Sequence, residues 1–210
     1  MARRPEERMI DRLLTLYVID RCREKHGITR ISETKMHKLM FYSEKKLNEH
    51  RCRSLSYRFV KLLYPTFSTE LRKDLNDLVK LNFLSARPYF SEKRKTRMIL
   101  EDFHEVFSKN REIMDIINSE VDRNAPIKTE VLVKKTKKMP WRNGIIDTLK
   151  NGTPLIYPLN PKRARCVFNI DKEDHEDLAI CLSPTISEDM AEAFNELRRG
   201  ERLSHAEVFR

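Results

Sequence analysis

The sequence predicts an α+β fold that is mostly helical, with a winged-helix-like body, a short β-hairpin wing and a C-terminal helical appendage. Apolar residues recur at the spacing of amphipathic helices over most of the chain. Only four of the 210 residues are glycine, which favours helices over sheets with many tight turns. The expected order of elements, two helices, a short strand, a helix and a basic hairpin, is that of a winged helix.

Three helices and one short strand are expected in the first part of the chain. Pro5 suits the first turn of a helix and Gly27 its end. Ser32 and Ser68 are favoured N-caps of the second and third helices, and each precedes apolar residues at helical spacing. Residues 57–62 alternate apolar and basic side chains, which predicts a strand with one buried face.

A basic hairpin and two further helices are expected next. Residues 83–87 and 96–100 predict two strands around a turn at 91–95, and this hairpin is the wing. A long helix is expected over 101–122, where the apolar residues form one broad face. A shorter helix over 126–136 begins at a proline.

The remainder of the chain combines extended segments with one helix. Four prolines in residues 137–165 predict a loop or extended chain with at most one short helix. The acidic residues of 171–177 predict a linker. Residues 188–199 predict a last amphipathic helix, which is capped by a serine and followed by a glycine.

Charge divides the chain into a basic domain, residues 1–165, and an acidic appendage, residues 166–210. The appendage contains eleven acids and five bases, a net charge of −6, so the domain carries +16. A basic domain attracts polyanions such as nucleic acid, whereas an acidic appendage can fold back on it or capture a basic protein. The alternative is a soluble surface whose charges are unevenly spread.

Several classes of function are disfavoured. Neither a membrane span nor an export signal is recognisable, so we expect a soluble cytoplasmic protein with no membrane partner. Cys22, Cys52, Cys166 and Cys181 lack the spacing of a metal site and are expected to be reduced thiols. The sequence has no phosphate-binding glycine loop and no metal-ligating histidine pair, and His37 is expected at the surface. We therefore expect no cofactor, metal or enzymatic activity, with an enzyme acting on nucleic acid as the least favoured class.

The third helix and the wing supply candidate DNA contacts. Lysine and arginine neutralise phosphates, and arginine and asparagine can also bind base edges. The candidates are Thr69, Arg72, Lys73 and Asn76 on the helix and Arg87, Lys93, Arg94, Lys95 and Arg97 in the wing. Asp74 and Asp77 lie on the same helix and would resist a close approach to a phosphate backbone. The alternative is a winged helix that contacts only protein.

Three segments, residues 31–47, 57–84 and 131–141, contain motifs in a fixed order that resembles the Panacea antitoxin domain, a family of phage-associated and archaeal proteins. ISETKMHKLMFYSEKKL, residues 31–47, is similar to the opening K-L-x-K-L-x-[YF] signature. YRFVKLLYPTFSTELRKDLNDLVKLNFL, residues 57–84, is similar to the strand, proline-containing turn and helix that follow, although the family's glycine is missing. VLVKKTKKMPW, residues 131–141, is similar to a helix ending in Thr-His and then Pro-Trp, with Lys137 in place of the histidine. The matching residues are Lys35, Met36, Lys38, Leu39, Phe41, Tyr64, Pro65, Phe67, Ser68, Thr136, Pro140 and Trp141.

The resemblance implies a cytoplasmic, non-enzymatic antitoxin that neutralises a toxin by direct binding and also binds its own promoter. DMAEAFNELRRGERLSHAEVFR, residues 189–210, is similar to the toxin-wrapping tails of antitoxins of the RelB and Phd kind. The candidate partner contacts are Met190, Phe194, Leu197, Val208 and Phe209. Two alternatives remain open: the apolar stripe of the tail packs on the protein's own body, or the protein is a winged-helix transcriptional regulator without a toxin. A homodimer is compatible with either.

Overall fold

The computed structural model describes residues 3–63, 65–85, 88–142 and 144–198. Over these residues the protein is α+β and mostly helical, as the sequence predicts. Among the helices described, none is both long and apolar enough to cross a membrane. The helices are α1 (Pro5–His26), α2 (Glu33–Glu49), α3 (Thr69–Lys80), α4 (Arg94–Asp102), α5 (His104–Lys109), α6 (Arg111–Asn124), α7 (Thr129–Lys137), α8 (Lys172–Leu182) and α9 (Pro184–Arg198).

The strands are short and pair in twos. They are β1 (Ile31–Ser32), β2 (Cys52–Arg53), β3 (Phe59–Val60), β4 (Tyr89–Phe90), β5 (Pro140–Trp141), β6 (Gly144–Ile145), β7 (Pro154–Ile156) and β8 (Cys166–Val167). Antiparallel pairs form between β1 and β4, β3 and β7, and β5 and β6, whereas β2 and β8 are parallel. Each pair joins segments that lie around the helices, so the core is formed mainly by helix packing.

The ends of α1 follow its sequence signals. The Glu7 carboxylate accepts a hydrogen bond of 2.9 Å from the backbone N–H of Arg4, which satisfies one free donor at the start of the helix. Gly27 ends it with φ of 65°, in the left-handed region that glycine adopts without steric cost. Between these ends α1 is buried over most of its length, because α3, α4, α6 and α8 all pack against it.

The central helix is α2. Every residue from Lys35 to Glu44 is buried, because α6 and α7 and strands β1, β2 and β7 all contact this helix. The expectation that His37 lies at the surface is therefore wrong: His37 is 4% exposed, and the neighbouring Lys38 is 1% exposed. The apolar residues of α2 show one helical stripe, but tertiary packing covers the other side as well.

A small hairpin follows α3 and joins the strand between the first two helices. Leu84 pairs with Glu92 in an antiparallel bridge, and β4 of the same hairpin pairs with β1. The second strand of the wing, expected over 96–100, is instead part of α4. Thr96, Ile99 and Leu100 are buried at helical spacing, so a helical repeat was read as a strand.

The long helix expected over 101–122 is interrupted at Phe103 and Asn110, which separates α4, α5 and α6. Asn110 explains the second interruption. Its side-chain amide donates to the carbonyl oxygens of Val106 at 2.7 Å and Asn169 at 2.6 Å, and its carbonyl accepts from the Asn169 N–H at 2.6 Å. These bonds fix the chain that follows β8, which an uninterrupted helix would not do.

The C-terminal segment packs on the body as far as Leu182. Residues 171–177, expected as an acidic linker, form most of α8, whose Leu178 and Leu182 are fully buried against the core. The acids of this segment all precede Leu178 and are mostly exposed, so residues 171–177 show no apolar spacing of their own. Helix α9 follows, and its described side chains are mostly exposed.

Two cysteines are paired. The parallel register of β2 and β8 sets Cys52 opposite Cys166 with 4.8 Å between their Cα atoms, and the two form a disulfide. The expectation of reduced thiols is wrong for this pair, because 114 residues separate them and only the tertiary structure brings them together. Cys22 and Cys181 are free thiols.

A buried guanidinium connects three helices. Arg12 of α1, 2% exposed, donates from Nε to Asp74 of α3 at 3.1 Å and from Nη2 to Asp77. Its Nη1 donates to the carbonyl oxygen of Leu182 at the end of α8. Arg3 adds hydrogen bonds of 2.7 Å to Asp11 and 2.6 Å to Asp74. The core therefore contains an ion-pair cluster in which charged atoms have hydrogen-bond partners, as burial requires.

We expect Arg12→Met to lower the free energy of unfolding by about 3–5 kcal/mol, because it leaves Asp74 and Asp77 buried with fewer cationic partners. Urea denaturation followed by circular dichroism measures the change. The matched control is Arg111→Met, whose side chain is 88% exposed and which should change stability by less than about 0.5 kcal/mol. Equal effects of the two substitutions would show that the cluster has no special role.

Candidate functional site

Helix α3 has two faces of different chemistry. Leu71, Leu75 and Leu78 are buried, and so are both aspartates of the helix. Glu70 is partly buried and accepts from Arg58 Nε at 2.7 Å. The exposed side chains are Thr69, Arg72, Lys73, Asn76 and Lys80. The outward face of this helix therefore presents basic and polar groups and no exposed acid.

The aspartates of α3 point toward the core. Asp74 accepts from Arg3 and Arg12 and also from the Tyr57 hydroxyl at 3.1 Å, and Asp77 accepts from Arg12. Their charges are compensated inside the protein. The concern that these two acids would oppose a phosphate backbone therefore does not apply to the exposed face.

Arg72 is held in place on the exposed face. Its Nε donates to Glu33 Oε1 at 2.6 Å, and its guanidinium lies over the Phe67 ring at 4.6 Å from the centroid. About half of the side chain remains exposed. An arginine fixed by an ion pair and an aromatic ring loses less conformational freedom when it binds a further group.

The basic residues that follow the hairpin lie next to the end of α3. Lys93 Nζ donates to the side chain of Asn82, just past the helix. Lys95 Nζ lies 3.4 Å from the carbonyl oxygen of Leu81 and 4.4 Å from the Phe83 ring centroid. These contacts place two basic side chains beside the residues that follow the C-terminal end of α3.

Some of the nine candidate DNA contacts lie in other elements than the sequence predicts. Arg94, Lys95 and Arg97 belong to α4 rather than to a wing strand, and Lys93 precedes it; all four are exposed. Arg97 Nε lies 3.2 Å from Glu92 Oε1, which ties it to the hairpin. Arg87 lies outside the described residues. Of the remaining candidates, Thr69, Arg72, Lys73 and Asn76 are exposed on α3, and Lys93 and Lys95 contact the residues that follow this helix.

A cavity of about 270 Å³ opens beside the start of α3. It is lined by Glu33, Thr34, His37, Lys38, Thr66, Phe67 and Arg72. Lys38 Nζ donates to Thr66 Oγ1 at 2.9 Å, and burial lowers the pKa of Lys38 to about 7. His37 stacks on Phe67 with 4.9 Å between ring centroids, and burial lowers its pKa below the usual range.

The segments that resemble the Panacea motifs meet along α2. The turn after β3 contacts its first half, where Lys38 binds Thr66 and His37 accepts from the Ser68 N–H at 3.2 Å. The third segment contacts its second half, where the Tyr42 hydroxyl and Thr136 are hydrogen bonded at 3.1 Å and Phe41 lies 6.3 Å from the Trp141 ring. Of the matching residues, Tyr64 lies outside the described part of the chain.

The candidate partner contacts lie on or beyond α9. Met190 is 43% exposed. The side chains of Phe194 and Leu197, and all of Val208 and Phe209, lie outside what the structure describes. Exposure of Met190 leaves this residue accessible to a partner.

One group of metal-ligand residue types occurs in the described part of the chain. Ligand atoms of Cys52, Glu112 and Cys166 lie within 4.8 Å of one another. The two sulfurs are bonded to each other, and Glu112 accepts from Arg165. These atoms therefore act as a covalent and ionic link between β2, β8 and α6.

Comparison of the sequence with protein-family models, curated proteins and solved structures finds no match. Function is therefore argued from the chemistry of the chain itself. The residues expected on the outer face of α3 are exposed, whereas neither the cavity nor the buried position of Arg12 is predicted from the sequence. One sequence feature points to the cavity: Lys38 and Ser68 belong to two segments that resemble motifs of one family, and the cavity lies where these segments meet.

We expect Lys38 to make stability depend on pH. The folded protein releases the Lys38 proton near pH 7 and the unfolded chain near 10.5, so stability from this group rises between these pH values. The slope is at most about 1.4 kcal/mol per pH unit. Lys38→Met should remove this dependence on pH. The free energy of unfolding of the variant, relative to that of the native protein, should therefore fall from pH 7 to pH 10. Urea denaturation across this range provides the measurement.

The control for this experiment is Lys80→Met, which replaces an exposed lysine of α3. It should leave the dependence of stability on pH unchanged, because its ammonium group meets water in both the folded and unfolded states. Parallel pH profiles for Lys38→Met and the native protein would contradict the burial of this charge.

Proposed function

We propose that this protein is an antitoxin-like regulator whose basic body binds DNA and whose C-terminal segment binds a partner toxin. In the body, α3 enters the major groove as the recognition helix of a winged-helix-like fold, and the hairpin of residues 84–92 and the start of α4 approach the phosphate backbone. The protein acts in the cytoplasm by stoichiometric contact rather than by catalysis.

The observation that carries the DNA-binding proposal is the division of α3 into an acid-containing buried face and a basic exposed face. The exposed residues of α3 neutralise phosphates through Arg72 and Lys73, while Arg72 and Asn76 are of the type that binds base edges. The acids that would repel DNA are engaged by Arg3 and Arg12.

The connectivity around α3 supports the same proposal. A strand between the first two helices pairs with the hairpin that follows the third, and this arrangement fixes the hairpin next to α3. Lys93 and Lys95 contact the end of α3 and extend its basic surface toward α4. In this proposal, α3 and the start of α4 together supply the positive charge that attracts a polyanion.

The antitoxin part of the proposal rests on the three motif segments and on the tail. Segments that resemble the Panacea motifs assemble around one helix, α2, rather than lying apart. Helix α9 exposes Met190 and carries an excess of acidic over basic residues along its length, as suits binding to a basic toxin. The competing proposal is a DNA-binding regulator without a toxin. For that function the basic body would be sufficient.

DNA binding predicts a specific loss in a variant of the exposed face. Lys73→Ala combined with Arg94→Ala should weaken binding to a short mixed-sequence duplex and reduce the slope of log affinity against log salt by about 1 for each lost phosphate contact. Fluorescence anisotropy at several salt concentrations measures both quantities.

The matched control is Lys128→Ala combined with Lys134→Ala, which removes two exposed lysines at and within α7, a helix that packs on α2. The net charge changes equally in both variants. An equal loss of affinity in the two would show that only overall charge matters and that α3 has no defined contact.

If the C-terminal segment binds the toxin, its removal should abolish toxin binding and leave DNA binding intact. A chain that ends after Pro184 lacks α9 and should retain the DNA affinity of the whole protein while losing capture of the product of the adjacent gene. Co-purification of that product and rescue of growth in cells that express it measure the second activity. Full capture by the shortened chain would exclude α9 and the residues after it as the contact, and normal DNA binding with no neutralised partner would favour the regulator without a toxin.

A further inference from the structure

The cavity beside the start of α3 is lined mainly by hydrogen-bond donors. His37, Lys38 and Arg72 contribute nitrogen donors, and Thr34 and Thr66 contribute hydroxyl groups. Glu33 is the acid of the lining, and its carboxylate accepts from Arg72 at 2.6 Å. The lining therefore matches a ligand that carries acceptors.

His37 has a defined tautomer and an unsatisfied donor. Its Nδ1 accepts a hydrogen bond from the Ser68 N–H at 3.2 Å, so the hydrogen of the neutral ring is on Nε2. Nε2 is buried and has no hydrogen-bond partner, and it lies 3.7 Å from Glu33 Oε1, too far for a hydrogen bond. A buried N–H donor without an acceptor costs free energy that a bound acceptor would recover.

Lys38 brings further donors to the same cavity. Its ammonium group has three N–H donors, and Thr66 Oγ1 accepts one of them. The side chain is 1% exposed, so water replaces few of the remaining hydrogen bonds. Thr66 keeps its own hydroxyl hydrogen to donate, because it acts as acceptor toward Lys38.

The position of the cavity also favours negative charge. Glu33 and Thr34 are the first residues of α2, so the cavity lies at the positive end of that helix. Arg72 at the opening adds a guanidinium that is already held by Phe67 and Glu33. A volume of about 270 Å³ is at the small end of ligand pockets.

We propose that this cavity binds the carboxylate or phosphate group of a small metabolite. The oxyanion accepts hydrogen bonds from His37 Nε2 and Lys38 Nζ at the base of the cavity and contacts Arg72 at its opening. This proposal does not depend on DNA binding, because the residues of this chain form the whole site. It does give Arg72 two possible ligands, since this residue also belongs to the exposed face of α3.

The test uses the full-length protein and two probes, inorganic phosphate and acetate, each compared with chloride at equal ionic strength. We expect at least one of the two oxyanions to raise the melting temperature and to give saturable heat in titration calorimetry, with chloride inactive. Lys38→Met should weaken that binding at least tenfold, because a charge-assisted hydrogen bond is lost. Lys35→Met is the matched control: it replaces a neighbouring buried lysine of the same helix that does not line the cavity.

A measurement on the native protein keeps the test decisive if Lys38→Met fails to fold. An oxyanion next to Lys38 stabilises its charged form, so binding near pH 7 should take up protons. Calorimetry in two buffers of different ionisation enthalpy measures that uptake. The proposal is overturned if neither oxyanion differs from chloride, if the two lysine variants lose binding equally, if binding takes up no protons, or if duplex DNA but neither oxyanion binds in a Lys38-dependent way.

Discussion

Most of this fold depends on one guanidinium in a place that water does not reach. Arg12 connects α1, α3 and the end of α8 through hydrogen bonds to two carboxylates and one backbone carbonyl oxygen. A buried arginine is costly unless its donors are satisfied, so its carboxylate partners must occupy defined positions. That requirement fixes the rotation of α3 about its own axis, because Asp74 and Asp77 must face inward together.

The rotation of α3 has a direct consequence for the surface. With Asp74 and Asp77 turned inward and Glu70 paired with Arg58, the exposed side chains of the helix are neutral or basic. The cluster in the core and the basic exposed face are thus two results of the same arrangement, and a rigid support behind a binding surface keeps its side chains in register. The cavity at the start of α3 belongs to this arrangement as well, because Ser68 both caps α3 and donates to His37.

The first three helices are predicted from the sequence, whereas α4 and α8 are not. Caps and apolar periodicity identified the first three helices, since those signals are local. In the segment 96–100, five residues are too few to distinguish the period of a strand from that of a helix. The segment 171–177 contains no apolar residue, so its helix becomes recognisable only from Leu178 onward. The candidates on α3 are surface residues, as the sequence predicts. Their closeness to Lys38 and His37 depends on the turn before α3, which lies some thirty residues after these two side chains in the sequence.

The order and type of the amino acids are enough to predict the helical class, the ends of α1 and the excess of bases in the first part of the chain and of acids in the last. These follow from caps, spacing and composition, each of which acts over a few residues or over the whole chain without regard to geometry. The inward position of Asp74, the burial of Lys38 and the pairing of Cys52 with Cys166 become visible only in the folded structure. Such outcomes depend on which distant segments pack together, and burial changes the energy of a charged or sulfur-containing side chain only after that packing is complete.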